Sequence, residues 1–256
     1  MLSIDLSGKV AVVTGANGEL GRVMARRLGE AGADVALTYH RGSDVAEATA
    51  AEIRKMGRKS LVIKTDVTDR DSVNALAARV KSELGAASII VNNANSGPPW
   101  KPILEHTPDD YRQQFESCVT HNLLMVQAFV PGMIEKKWGR VIGISTECVM
   151  QYNPTQSTYV AGKRAMDGML RILTKEVGMH GITVNQVAPG WTISDRDRKP
   201  DGTVDPHPEY ENHVPLKHRG TDVDIANSVV FLASDLAQFI TGVYLPVCGG
   251  NVMPGV

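Results

Sequence analysis

K-V-A-V-V-T-G-A-N-G-E-L-G, running from Lys9 to Gly21, joins three kinds of sequence. Lys9–Thr14 is a continuous Val-rich apolar run, the mark of a strand buried on both faces. Gly15 breaks it, and beyond the turn Met24, Leu28 and Ala31 follow the spacing of a helix with one apolar face. A glycine-rich turn between a buried strand and a helix offers backbone N–H groups and the positive end of the helix dipole to the pyrophosphate of a dinucleotide. Glycines also serve plain strand-to-helix turns, and here the position of the turn favours the phosphate reading.

The same alternation continues outward. Asp34–Tyr39 reads as a strand, Ser43–Met56 as a polar helix, and Ser60–Thr65 as a strand. Thr68–Leu84 reads as a helix capped by Thr68 or Asp69, and Ser88–Asn92 as a strand. Thr107–Lys137 is a long helical region whose propensity breaks at Thr120–Asn122. Arg140–Ser145 is a strand, the region of Tyr159 opens a helix reaching about Met179, and Thr183–Ala188, Asp222–Ser234 and Val243–Val247 read as strand, helix and strand. Strands alternating with helices predict an α/β fold with a parallel sheet covered on both faces. Nothing reads as a linker, so residues 1–256 form a single domain. Ser194–His213 is polar, Pro-rich and irregular, and an insertion after a strand's carboxyl end is expected to act as a mobile substrate lid.

With 256 residues, 43% hydrophobic and 21% charged, the chain has the composition of an ordinary globular domain, and its net charge of −1 points to neither nucleic acid nor anionic membrane as partner. Cys118, Cys148 and Cys248 lack metal-ligand spacing and are too few for a disulfide framework, so reduced thiols and no metal are expected. The N-terminal M-L-S-I-D-L-S-G-K is too short in apolar run for a signal peptide, and no apolar run reads as a membrane span. A soluble, cytoplasmic protein is expected.

The chemistry is carried by Thr146–Lys163, T-E-C-V-M-Q-Y-N-P-T-Q-S-T-Y-V-A-G-K. Tyr159 and Lys163 are four apart and share one face of a helix. A cation there is expected to draw the phenol below its free pKa of about 10, so that it trades a proton with a carbonyl or alcohol oxygen.

Together, the turn and Y-x-x-x-K resemble the short-chain dehydrogenase/reductase family, and the resemblance runs essentially end to end. Asp66-Val67 resembles the family's adenine-side contact, and Asn92-Asn93-Ala94 its N-N-A-G signature. Thr146 stands where the family has its catalytic Ser. Asn185 with Pro189-Gly190 resembles V-N-x-x-x-P-G, and Ser194 falls where a hydroxyl near the nicotinamide amide is usual. F-L-A-S-D-L-A-Q-F-I-T-G and the later C-G-G resemble the family's C-terminal pattern. The resemblance implies a Rossmann-type, doubly wound, mostly parallel sheet in three layers. It also implies hydride transfer between a nicotinamide cofactor and a ketone, aldehyde or secondary alcohol. Tyr159 would be the acid–base, Thr146 would hydrogen-bond the substrate oxygen, and Lys163 would hold the nicotinamide ribose. Gly15, Asn17, Gly18, Leu20, Gly21, Asp66, Val67, Asn93, Ala94, Pro189, Gly190 and Ser194 would complete the cofactor site. A homotetramer or dimer, pairing through the long helices and the last strand, is implied as well.

The chain departs from the family in four places. Glu19 occupies the middle glycine position of the turn, giving the G-x-x-G-x-x-G of the family's epimerase and dehydratase branch, although the chain is too short for that branch's second substrate region. A carboxylate there repels a pyrophosphate unless it turns outward, and Arg22 is placed to compensate. Thr146 adds a methyl to the serine position. Cys118 replaces an Asn that helps hold a relay water, leaving backbone carbonyls for that task. Asn95 replaces a glycine, a mild change. Together, Glu19, Cys118 and Thr146 motivate the alternative of a non-catalytic dinucleotide-binding sensor or scaffold.

For the cofactor, the end of the second strand is Tyr39, followed by H-R-G-S, where NAD-preferring proteins carry an acid. Arg41 with Ser43 suits a 2′-phosphate, so NADP is expected, with NAD as the alternative. A 3-oxoacyl thioester, a sugar or polyol, or a general carbonyl compound is the expected small-molecule substrate. Trp100 and Trp191 are candidates to line the crevice or to pack in the core.

Overall fold

The computed structural model describes residues 3–255. Its first strand, β1 (Val10–Val13), explains the unbroken apolar run: Ala11 and Val13 enter the core on one face of the sheet, Val10 and Val12 the core on the other. The same alternation places Ile89 and Val91 of β4 (Ile89–Asn92) opposite Ile90, and Ile142 and Ile144 of β5 (Gly139–Ile144) opposite Val141. With β2 (Asp34–Tyr39), β3 (Ser60–Lys64), β6 (Ile182–Pro189) and β7 (Tyr244–Val247), these strands form one parallel sheet in the order β3-β2-β1-β4-β5-β6-β7.

Helices cover both faces. On one side α1 (Glu19–Glu30), α2 (Asp44–Lys55) and α9 (Asp222–Ala233) bury residues such as Met24, Leu28, Ile53 and Val229. On the other, α3 (Arg70–Glu83), α5 (His121–Lys136) and α7 (Ser157–Val177) bury Leu76, Met125, Met133, Met166 and Leu170. Shorter helices are α4 (Pro108–Phe115), α6 (Cys148–Gln151) and α8 (Pro208–Glu211). The fold is the doubly wound, three-layer arrangement expected. From β1 the chain runs outward through β2 and β3, then returns to β4 on the other side of β1. A crevice opens at the carboxyl ends where the winding reverses.

Local details refine the sequence reading. Asp69, not Thr68, caps α3, accepting from the Ser72 amide at 2.7 Å, while the Thr68 hydroxyl donates to Asp66. The long helical region is broken earlier than its propensity suggests, by a π-turn at Glu116–Thr120 between α4 and α5. Contrary to the sequence reading, Pro108–Lys136 is long and apolar enough by composition to pass for a membrane span; 56% of its most apolar window is buried within the protein, which accounts for that composition.

The Ser194–His213 segment carries structure of its own. An isolated bridge pairs Arg198 with Val204, and α8 follows. Arg198 makes two hydrogen bonds to Asp222, at 2.9 and 2.7 Å, and buried Arg219 reaches Asp197 at 2.6 Å, so the base of the segment is pinned to the start of α9.

Candidate active site

The phosphate turn is shaped by contacts between β1, β4 and α1. Gly15 adopts φ +63°, and a Cβ on it would lie 3.0 Å from the Ala94 Cα. A Cβ on Gly21 would lie 2.2 Å from the Gly15 carbonyl oxygen, so only glycine lets α1 start so close to the turn. Buried Thr14 accepts from the amides of Asn93 and Ala94 at 2.9 and 3.1 Å, and the Asn93 side chain donates back to the Thr14 carbonyl at 2.9 Å. Asn17 donates to the Arg41 carbonyl at 2.8 Å, tying the turn to the loop after β2.

Around this turn lies a cleft of about 720 Å³, a volume suited to a cofactor. It is lined by Gly15, Asn17, Gly18, Leu20, Arg41, Asp66, Val67, Asn93 and Ala94. Gly21 lies behind the turn, where its missing side chain serves packing. Arg41 is exposed, and the acid beside Tyr39, His40 and Arg41 on this wall comes not from the end of β2 but from the loop after β3, where Asp66 lies 3.9 Å from His40. The nearest carboxylate, Asp66, has one oxygen held by the Thr68 amide and hydroxyl; those hydrogen bonds keep it below the usual carboxylate range. These residues fit a dinucleotide bearing a 2′-phosphate.

Glu19 also faces the cleft, but its charge is compensated. Arg22 pairs with it at 2.8 Å as expected, and Arg196 from the 194–213 segment lies 3.8 Å away. Arg22 also reaches Asp195 at 2.7 Å, so the cofactor turn and that segment share one ionic network.

At the end of β5, Thr146, Tyr159 and Lys163 come together. Lys163 is buried, and its ammonium donates to the Ile144 carbonyl at 2.7 Å, fastening α7 to the strand end. It sits 5.8 Å from the centre of the Tyr159 ring. Thr146 is held from behind: the Tyr244 hydroxyl donates to its carbonyl at 2.5 Å, and its own hydroxyl accepts from the Cys148 amide at 3.2 Å. The phenol departs from the sequence expectation. Burial pushes Tyr159 well above its ordinary value, and a hydrogen bond with Thr146 only partly opposes this. Burial also lowers Lys163. The physical reason is desolvation, which penalises the phenolate and the ammonium alike.

Pro189 ends β6 and Gly190 follows it, outside the lining of the cleft: the Pro189 carbonyl accepts from the Glu147 amide at 2.9 Å, and the Gly190 amide donates to the Val247 carbonyl at 3.1 Å. Ser194 is buried and donates to Asp197 at 3.0 Å. Cys118 lies in the π-turn, its thiol 3.6 Å from the Asn95 side-chain nitrogen. Its carbonyl is already engaged by Asn122 at 2.7 Å. Trp100 meets the Tyr159 ring at its edge, whereas Trp191 packs against His207 and Tyr210.

Some participants gave little sign in sequence. Thr14 reads as the last strand residue, and Tyr244 as an ordinary strand aromatic. His121 is buried next to the site, its imidazole lowered to about 4 by burial, with the Lys163 charge acting in the same direction. Arg196 looks like one charge among many, and only the fold carries it to Glu19.

Comparison with known proteins agrees with this geometry. A family model described as Enoyl-(Acyl carrier protein) reductase matches residues 15–251. The 3-oxoacyl-(acyl-carrier-protein) reductase FabG of Staphylococcus aureus is 36% identical over 250 residues, covering 96% of this chain and 98% of the relative. A crystal structure assigned as a short-chain alcohol dehydrogenase of Sinorhizobium meliloti 1021 superposes with a TM-score of 0.88 at 30% identity, covering 98% of both chains. The blue fluorescent protein from a metagenomic library, in complex with NADPH, superposes with a TM-score of 0.87 at 33% identity, covering 97% of this chain and 100% of its own.

Proposed function

This chain belongs to the short-chain dehydrogenase/reductase family, and from that premise we propose that it is an NADP(H)-linked reductase of a ketone or aldehyde. The observation that carries the reading is the meeting of Tyr159, Lys163 and Thr146 at the end of β5, beside the cleft at the sheet's reversal point. In that cleft, Gly15, Asn17, Gly18 and Leu20 would hold the pyrophosphate, Asp66 and Val67 the adenine side, and Arg41 the 2′-phosphate. Asn93, Ala94, Pro189, Gly190 and Ser194 would frame the nicotinamide end. NADPH, when bound, supplies the hydride.

The chain's own part is the proton. Because burial raises the Tyr159 phenol, it remains protonated at neutral pH and can donate to a carbonyl oxygen as that oxygen becomes an alkoxide. Thr146 hydrogen-bonds the same oxygen and fixes its distance from the phenol. Lys163 places a positive charge under the ring and favours the phenolate left after donation.

The 194–213 segment serves as the substrate lid. A 3-oxoacyl thioester, the substrate class in the FabG relative's name, is one candidate; a sugar, polyol or other carbonyl compound is the other. The apolar groove between α5 and α7, lined by Val126, Val130, Ile134, Met169 and Ile172, supports pairing into a dimer or tetramer. The reading is of a cytoplasmic enzyme.

The test is the loss of NADPH absorbance with a panel of 3-oxoacyl, sugar and simple carbonyls, with Tyr159→Phe as control. Turnover by wild type, falling by about 10²–10⁴-fold in the variant, is expected. NADPH binding without turnover on any of the carbonyls would overturn the catalytic reading, and turnover surviving in Tyr159→Phe would move the acid to another residue.

A further inference from the structure

Next to Thr146 stands a buried acid that hydride transfer does not use. Glu147 is 3% exposed. Its Oε1 accepts from the Tyr210 hydroxyl at 2.9 Å, and its Oε2 accepts from the Asn251 side chain at 3.0 Å. Those partners lie 63 and 104 positions away, one in the 194–213 segment and the other near the C-terminus. Tyr210 is in α8, and its hydroxyl oxygen also accepts from the Trp191 amide at 2.9 Å. Its ring meets Trp191 edge-on at 5.5 Å. Gly190 makes room for this phenol, since a Cβ there would lie 2.6 Å from the hydroxyl. One polar chain thus runs from the Thr146 loop through Tyr210 to the backbone just beyond β6.

A buried carboxylate is costly unless its oxygens are hydrogen-bonded, and an apolar side chain of similar volume fills such a space without that cost. What an apolar side chain cannot do is accept hydrogen bonds from two distant segments at once. The ion pairs of Arg198 and Arg219 fix the base of the 194–213 segment to α9, and Arg22 and Arg196 tie it to the cofactor turn. The hydrogen bond from Tyr210 is what joins it to the loop that carries Thr146.

We propose that Glu147 is a positioning residue: its carboxylate holds Tyr210, and with it the 194–213 segment, closed over the substrate side of Thr146. This inference rests on the reading of that segment as a lid and of the site as a carbonyl reductase.

The test uses the whole chain as wild type, Glu147→Ala, Glu147→Gln, Tyr210→Phe and the double variant Glu147→Ala/Tyr210→Phe. Two quantities are read: hydrogen exchange of the amides of residues 207–214, and KM and kcat for a carbonyl reduced by NADPH. Glu147→Ala, which also leaves Asn251 unpaired, and Tyr210→Phe, which also leaves the Trp191 amide unpaired, are each expected to speed exchange and raise the carbonyl KM by about five- to tenfold, with the NADPH KM within about twofold. The double variant should lose less than the product of the two single losses, because both singles remove the Glu147–Tyr210 contact and each removes one other. Glu147→Gln, whose amide oxygen still accepts from Tyr210, should recover most of the loss. Tyr210→Phe removes a single oxygen, so it decides the matter even where Glu147→Ala fails to fold. Unchanged exchange in Tyr210→Phe, or single effects that multiply in the double variant, would overturn the proposal. Should no carbonyl be turned over by any of these proteins, the reductase reading falls, and exchange alone decides for or against the latch.

Discussion

The indole of Trp100 meets the ring of Tyr159 edge-on, with 5.6 Å between centroids and 72° between planes. Trp100 is still 55% exposed, so one aromatic surface faces both solvent and the phenol proposed as the acid. Edge-to-face pairs contribute about 0.5–1.5 kcal/mol beyond their buried area. Trp100→Ala should lower kcat/KM by about two- to tenfold for small carbonyls and by less for bulky ones that fill the vacated space. Kinetics on a graded series of ketones checks this; an equal loss across the series would mean that Trp100 does not sort substrates.

Cofactor choice is proposed to turn on Arg41. Exposed on the cleft wall after a β2 that ends without an acid, its guanidinium is proposed to meet a 2′-phosphate. Arg41→Ala should raise the KM for NADPH by about tenfold or more while leaving that for NADH nearly unchanged. Parallel losses with both cofactors would mean that Arg41 supports the loop and not the phosphate.

Glu19 and Arg196 make opposite predictions. The Glu19 carboxylate sits at the start of α1, in the phosphate cleft, and occupies both Arg22 and Arg196. Glu19→Gln removes a negative charge and releases Arg196, while Arg22 keeps its pair with Asp195. The KM for NADPH should fall by about two- to fivefold, and less so at high salt. Arg196→Ala should raise it. Titration of NADPH fluorescence at two ionic strengths distinguishes these outcomes from a change in turnover alone.

Acid sensitivity should trace in part to His121. Burial lowers its imidazole from 6.5 to about 4, so the folded state favours the neutral ring. Its contribution to stability is fully present above pH 6.5 and is lost as pH falls through about 4, a loss of order 3 kcal/mol. His121→Gln should flatten the dependence of unfolding free energy on pH in that window, as measured by urea denaturation at several pH values. A variant as acid-sensitive as wild type would place the effect elsewhere.

Much of this molecule can be read from its residues in order. The Val-rich runs are continuous because the central strands are buried on both faces, so strands and their parallel pairing are legible from local pattern. Tyr159 and Lys163 are legible because a helix fixes their separation. The state of the phenol is not, since its burial depends on Trp100, Thr146 and the strand end, which meet it only in three dimensions. Glu147 hides for the same reason: in T-E-C-V it resembles a surface acid, and its partners come from segments remote in the chain. The π-turn around Cys118 is equally silent, because no residue type there demands it.

The turn that begins α1 separates two properties usually bound together. Its contour depends on position 21, where any side chain would strike the Gly15 carbonyl, whereas its charge depends on position 19, where the side chain reaches outward to Arg22 and Arg196. Engineering can therefore treat affinity for the dinucleotide as a dial and the loop's architecture as fixed: substitutions at 19 retune how strongly an anion is welcomed, without asking the backbone to find a new path.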